Sequence, residues 1–344
     1  MKKTPSKPPR RSRRSSGAVT LHDVAKLAGV APITASRALN MPSKVSAEVL
    51  TRVTEAVART GYVPNRLAGG LASTKSRLVA ALVPTISGPV FLETIQSLTE
   101  ALGEAGYQLM LGQSGYQNLR EDALLEAIIG RRPDGIVLTG IMRSAEGRKR
   151  LLACGIPIVE TWDLTPHPLD MLVGFYHADV GHAVADFLVA KGRRRLAVVS
   201  ADDERAIRRV EAFEKRAGTL GVTKIRRAIV PALTTLKLGR SAMAELLDKG
   251  RRPNAIFCSS DLLALGVMIE AQSRGLSIPD DVALVGFGDL DFAADLNPAL
   301  TTVRIDGRMI GREAARFVTE RAEGRSSDTQ IVDVGFTIVE RATT

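Results

Sequence analysis

A chain of 344 residues, 45% of them apolar, has room for two or three domains whose cores need no covalent staples. Its two cysteines, Cys154 and Cys258, stand far apart inside apolar runs, which excludes a disulfide framework or a cysteine metal knuckle and points to free thiols in a reducing compartment. The net charge of +10 includes a basic N-terminus, but no apolar signal region follows it and no apolar run approaches the roughly 18 residues that span a bilayer, so a cytoplasmic chain without membrane contact is expected.

Residues 1–14 hold seven of the excess charges, Lys2, Lys3, Lys7, Arg10, Arg11, Arg13 and Arg14, and no acid. Their Pro/Ser content predicts a disordered basic tail over 1–17. Residues 18–74 carry the other three, so 75–344 is neutral, and the N-terminus is the polyanion-binding end. A basic tail alone also fits a solubilising arm, so sequence-specific binding needs a reading element.

Thr20 and Asp23 form a capping-box-like start for a first helix over about 21–28, with Leu21, Val24, Ala25, Leu27 and Ala28 as its apolar stripe and Gly29 as its stop. Pro32 suits the first turn of a second helix that runs to about Leu39, with Ile33, Thr34, Ser36 and Arg37 facing outward. Ser46 caps a third helix, striped by Val49, Leu50, Val53, Ala56 and Val57 and ended by Gly61. Two short helices joined by a tight glycine turn, with a third behind them, make a helix-turn-helix core whose second helix enters a major groove. Arg37 can donate two hydrogen bonds to guanine O6 and N7, worth about 1–3 kcal/mol of discrimination. Ile33 can offer a base only apolar contact; its alternative is a packed core position.

From Leu78 onward apolar runs alternate with amphipathic stretches: LVAALVP, YQLMLGQ, GIVLTG, IPIVET, RLAVVS, IRRAIV, AIFCSS and DVALVGF. Such alternation predicts βαβ units and parallel sheets, and a pause near 160–165 predicts two α/β lobes. A final stretch holds short strands and one helix from about Arg308 to Glu323. Ligands of open α/β sheets bind outside the carboxyl ends of the strands, so the cleft between the lobes is the expected small-molecule site.

The segment V-T-L-H-D-V-A-K-L-A-G-V-A-P-I-T-A-S-R-A-L-N, followed by V-S and G-Y-V-P-N-R-L-A-G-G-L-A, resembles the N-terminus of the lactose-repressor/galactose-repressor family, and the likeness continues through most of the chain. It implies a helix-turn-helix domain over 18–64, a hinge helix and linker over 65–77, and a two-lobed body over 78–344 like the periplasmic sugar-binding proteins. The implied chain crossings fall near 162, 290 and 320, giving lobes of 78–162 plus 291–320 and 163–290 plus 321–344. The resemblance makes Pro32, Ile33 and Arg37 the base-reading positions and Thr34 and Ser36 phosphate contacts. It adds Thr20, Leu21, Asn40, Asn65 and Arg66 to the DNA-contacting set and Leu71 as a minor-groove wedge. Departures at Ala31 and Ile33 mean that the family's operators do not transfer. Gly69 and Gly70 each cost about 0.8–1.0 kcal/mol in a helix interior, so the hinge is expected to order only on DNA.

In the body, the resemblance implies an effector set of Arg209, Arg205, Asp289, Ser260, Asp261, Trp162 and Phe91. A solvated helical face is the alternative for Arg205 and Arg208, and Asp261 is read first as a helix N-cap. Gly288 and Tyr176-His177 stand where family members often carry acids, so carboxylate acceptors are lost while arginines remain, which favours an anionic ligand. The run from Phe91 to Leu111 and G-I-P-I-V-E-T-W-D look like the family's gluconate-utilisation repressors, which implies a sugar acid effector. The expected protein is therefore a homodimeric, nucleoid-associated repressor of a near-palindromic double-stranded operator. Neither a cofactor nor catalysis is expected. Phosphate loops, a nucleophile elbow and metal-ligand spacing around His177 and His182 are all absent from the sequence. The alternative, a sugar-binding or enzymatic α/β protein, would have no use for a DNA-reading segment.

Overall fold

The computed structural model describes residues 19–63, 75–115, 118–325 and 330–344, with the backbone alone for 118–121. The chain divides into two compact units at Ser76–Arg77. The expected basic tail and the hinge, with Asn65, Arg66, Gly69, Gly70 and Leu71, lie outside the described residues.

The first unit is three helices. Helix α1 (Leu21–Ala28) begins where the Thr20 side chain accepts from the Asp23 N–H and Asp23 accepts in return from the Thr20 N–H at 2.9 Å. It ends at Gly29, whose φ of 64° is left-handed and releases the chain without a Cβ penalty. Helix α2 (Pro32–Asn40) opens on proline, and α3 (Ala47–Thr60) is capped by Ser46. Val24, Ala25, Ala28, Ala35, Ala38, Val53 and Ala56 are buried between them, mostly small side chains that let the short helices approach closely. Leu27 does not join this core and is 44% exposed. It follows Ala25 by two residues, about 200° around the helix, and so faces away from it.

The second unit opens with β1 (Leu78–Val83), α4 (Leu92–Glu104), β2 (Gln108–Gln113), α5 (Asn118–Ile129), β3 (Gly135–Thr139), α6 (Ala145–Cys154), β4 (Ile158–Thr161) and β5 (Met171–Gly174). It continues with α7 (His177–Ala190), β6 (Leu196–Ala201), α8 (Glu204–Thr219), β7 (Arg226–Val230), α9 (Leu236–Asp248), β8 (Ala255–Cys258), α10 (Asp261–Ser273) and β9 (Ala283–Phe287). The chain closes with β10 (Thr301–Arg304), α11 (Gly307–Ala322), β11 (Ile331–Asp333) and β12 (Thr337–Val339). Two six-stranded sheets result, ordered β11-β5-β4-β3-β1-β2 and β12-β10-β9-β8-β6-β7. Every pairing is parallel except β12 on β10. Strands such as β4, β6, β8 and β9 are buried along their whole length, as expected of parallel strands covered on both faces.

The crossings between the sheets correct the expected lobe limits. They lie between β5 and α7, between β10 and α11, and between β11 and β12, each beyond the expected positions near 162, 290 and 320. Residues 163–174 therefore stay with the first sheet and 291–304 with the second. At the first two crossings, β4 joins β5, and β9 joins β10, without an α-helix between them. The helix-strand alternation falters there while the sheet itself continues.

Helices α7 and α8 pack against each other through Gly181, where an added Cβ would lie 2.2 Å from the Arg209 carbonyl oxygen and 2.8 Å from the Phe213 nitrogen. Backbone against backbone leaves no flexible side chain to give way. Gly181→Ala is therefore expected to lower stability by about 1–3 kcal/mol through overpacking, despite alanine's better helix propensity. A urea midpoint at or above that of the wild type would show that α8 can retreat at no cost.

Candidate functional site

Two surfaces carry candidate chemistry. In the first unit, α2 turns Ala35 and Ala38 inward and leaves Pro32, Ile33, Arg37 and Asn40 exposed, with Thr34 and Ser36 half-buried. Ile33 is 64% exposed, so the packed-core alternative for it is overturned. Asn40 donates its side-chain amide to the Ser36 carbonyl oxygen at 3.0 Å, and Thr20 is engaged in the α1 cap. Leu21 packs on the three-helix core. The open face of α2 is thus an apolar side chain and a guanidinium, one helical turn apart.

In the second unit, a cavity of about 540 Å³ opens where loops following β1, β4, β6, β7, β8 and β9 converge, the carboxyl ends of strands from both sheets. Phe91 and Trp162 come from the first sheet's side; Arg205, Arg209, Ser260 and Phe287 come from the second. Trp162 sits edge-on to Phe91, with centroids 5.1 Å apart, and donates its indole N–H to Thr94 Oγ1 at 3.1 Å.

Arg209 is buried at the cavity wall, only 5% exposed. Arginine can only donate, so its Nη1, 2.9 Å from His177 Nδ1, makes that nitrogen an acceptor. The His177 proton then resides on Nε2, which donates to the Trp162 carbonyl oxygen at 2.9 Å. Arg209 Nη2 donates to the Ser259 carbonyl oxygen at 3.3 Å, and its guanidinium lies 4.0 Å from the Phe287 ring centroid. Its Nε has no partner, and no carboxylate of the described residues pairs with it. Burial lowers its pKa to about 10, so it remains charged at neutral pH. Arg205, one turn earlier, lies 5.4 Å from the Phe91 ring and keeps a buried Nη1 without a partner.

The solvated-face alternative fails for Arg205 and Arg208 of α8. Arg205 lines the cavity, and Arg208 reaches buried Asp163, with Nη1 3.1 Å from Oδ1. Beyond Arg205 and Leu233 a second cavity of about 590 Å³ is bordered by this pair and by the Arg143–Glu204 pair at 2.7 Å. Both ion pairs join α8 to loops of the first sheet.

Five of the seven expected effector residues, Phe91, Trp162, Arg205, Arg209 and Ser260, line the first cavity. Asp261 and Asp289 do not. Ser260, rather than Asp261, caps α10 by accepting from the Leu263 N–H at 3.3 Å. Asp261 turns into the interior, where it accepts from Thr302 Oγ1 at 2.6 Å and the Leu290 N–H at 2.8 Å, and burial pushes its pKa up to about 6. Asp289 is consumed by ion pairs with Arg304 and Arg341. Missed beforehand were Thr85, Thr234, Thr235 and Ser259, hydroxyls on the wall, and the contact role of His177. The positions just past β1 and β8 were open to inference from the strand-end rule. The His177 contact was not, because its partners are 15 and 32 residues away. Cys154 and Cys258 are free thiols, and among the described residues no three His, Cys, Asp or Glu side chains cluster as metal ligands.

Residues 20–65 match the model of bacterial regulatory proteins of the lacI family, and residues 185–344 match a periplasmic binding protein-like domain. The HTH-type transcriptional regulator GntR of Pseudomonas aeruginosa is 34% identical over 333 residues, 96% of this chain and 97% of the relative. The regulator of the same name in Escherichia coli K12 is 31% identical over 325 residues, covering 92% and 96%. The crystal structure of a LacI-family transcriptional regulator from Silicibacter pomeroyi superposes with a TM-score of 0.89 at 30% identity, covering 94% of this chain and 99% of that one.

Two buried groups, His177 at the cavity wall and Asp261 in the interior, pull stability in opposite directions on acidification. Burial and Arg209 hold the His177 pKa well below its ordinary 6.5, with Arg205 and Arg208 acting in the same sense. Its contribution is complete above pH 6.5 and is lost as pH falls below that value, because the unfolded chain takes up the proton first. Asp261, raised from 3.8 to about 6, has the reverse sign: its contribution is complete below 3.8 and lost as pH rises through 6. In the window just below pH 6 the two therefore oppose each other. Urea melts should show His177→Asn gaining stability, relative to wild type, as pH falls through that window. A variant profile parallel to the wild type would contradict a neutral His177.

Proposed function

We propose that this chain, which belongs to the LacI family of bacterial regulatory proteins and is a DNA-binding transcriptional regulator, is a repressor whose operator affinity is set by a sugar acid of the gluconate type. The observation that carries this reading is the charge of the cleft. Arg209 is buried at its wall with no carboxylate partner, and Arg205 stands one turn away with a free Nη1. A guanidinium fork matches a carboxylate in two hydrogen bonds, and a neutral hexose would leave the charge uncompensated. The wall hydroxyls of Thr234, Thr235 and Ser260 can donate to or accept from a polyol chain. The gluconate-utilisation likeness over Phe91–Leu111 supports the same ligand class.

On the DNA side, Arg37 and Ile33 read base edges, Pro32 sets the first turn of the reading helix, and Thr34, Ser36, Asn40, Thr20 and Leu21 border the phosphates. Asn65, Arg66 and Leu71 complete the contact set in the hinge. A two-fold dimer places half-sites about 34–36 Å apart or otherwise related by symmetry. The effector acts by linkage: it favours one closure state of the lobes, and its differential affinity, typically about 1–3 kcal/mol, appears as a change in operator affinity.

Trp162 is the only tryptophan and lines the cleft, so its fluorescence reports occupancy. Gluconate is expected to perturb it and glucose to do so weakly, with Arg209→Met losing about 1.5–3 kcal/mol of gluconate affinity. A wild-type signal moved by glucose alone would end the sugar-acid reading. On DNA, Arg37→Ala is expected to cost about 1–3 kcal/mol at one guanine of each half-site, and Ile33→Gln to change the preferred base beside it. Unaltered base preference in a binding-site selection with both variants would remove them from the reading role.

A further inference from the structure

We infer that His177 sets the charge class of the effector, acting as a positioning residue that orients Arg209 while leaving its charge unspent. The inference rests on the sugar-acid reading of the cleft. The cavity's chemistry is decided by what Arg209 meets from the protein side, and each contact there is neutral. Nη1 meets His177 Nδ1 at 2.9 Å, Nη2 meets the Ser259 carbonyl oxygen at 3.3 Å, and the π face of Phe287 lies 4.0 Å away. Among the described lining residues the one carboxylate, Asp203, is occupied in capping α8 through the Ala206 N–H at 3.1 Å. Asp163, the other acid that acts on Arg209, is already paired with Arg208. The guanidinium is thus held in place by dipoles and a ring, while Asp203 and Asp163 act on its charge only through space and neither pairs with it.

His177 is fixed in that neutral role from both sides. Nδ1 accepts from an obligate donor, and Nε2 donates to the Trp162 carbonyl oxygen at 2.9 Å, so the ring has no place for a second proton. Trp162 itself lines the cavity, and its backbone is left-handed at φ 64°. One three-member chain, Arg209 to His177 to Trp162, therefore links the anion-binding group on the second sheet's side to the aromatic wall of the first.

The geometry also shows how the selectivity could be reversed. His177 Nδ1 is bonded to Cγ, as are the Oδ atoms of aspartate and asparagine, so either shorter side chain presents an acceptor near the same point. His177→Asn keeps a neutral acceptor on Arg209. His177→Asp places a full negative charge there, satisfies the guanidinium inside the fold, and makes a ligand carboxylate repel its own binding site. Both substitutions forfeit the bond to the Trp162 carbonyl oxygen, so they differ essentially in charge.

The test is isothermal titration of the full-length wild type, His177→Asn and His177→Asp with gluconate and with glucitol, which has a CH₂OH in place of the carboxylate. Circular dichroism melts establish that each is folded. The wild type and the asparagine variant are expected to prefer gluconate, and the aspartate variant to lose at least about tenfold in the gluconate-to-glucitol affinity ratio. Equal ratios in the two folded variants would overturn the role of His177 while leaving the sugar-acid reading intact. A wild type that prefers glucitol would overturn the reading itself, and this inference with it. If the aspartate variant does not fold, a gluconate preference lost equally in His177→Asn would likewise overturn the inference, and a retained one would support it.

Discussion

A buried cation without a counter-ion is costly, and the second unit is arranged around meeting that cost at Arg209. Desolvation opposes the charge, and the offset comes from neutral partners: an imidazole nitrogen, a carbonyl oxygen and an aromatic face. These partners come from α7 and from the ends of the neighbouring strands β8 and β9, and α7 packs backbone to backbone on α8, which carries Arg209. Gly181 permits that approach.

The same cleft is where the two sheets are tied together. The His177 to Trp162 bond, the Arg208 to Asp163 pair and the Arg143 to Glu204 pair all cross from elements of the second sheet to loops of the first. Of the two ion pairs, Arg208 with Asp163 is the more buried, and Asp163 is almost wholly enclosed. The exposed Arg143 to Glu204 pair contributes little beyond orientation. Arg205 and Arg209 at the cavity wall sit on the same helix as Glu204 and Arg208, whose ion pairs reach the first sheet.

The first unit shows the complementary economy. Its core is built of alanines and valines at the helix crossings, and the larger apolar side chain of Ile33 is left outside at 64% exposure. Ile33 and Arg37 share the open side of α2, and the proposed base-reading role draws on that exposure rather than on any contact within the unit.

Much of the architecture was legible in the sequence because it is local. The caps at Thr20 and Ser46, the stop at Gly29 and the eight apolar runs that became strands depend on contacts within about four residues or on period-two and unbroken apolar patterning. The family resemblance supplied Arg209 and the cleft. Tertiary structure alone decided the rest. The crossings moved because sheet membership follows pairing partners such as Ile331 with Leu172, far apart in the chain, and no local pattern marks a strand that changes lobe without a helix. Asp261 and Asp289 left the site because Thr302, Arg304 and Arg341 claimed them, and His177 entered it because α7 delivers its ring between Trp162 and Arg209. A residue type states which bonds it can make; only the packed chain states which partner arrives first.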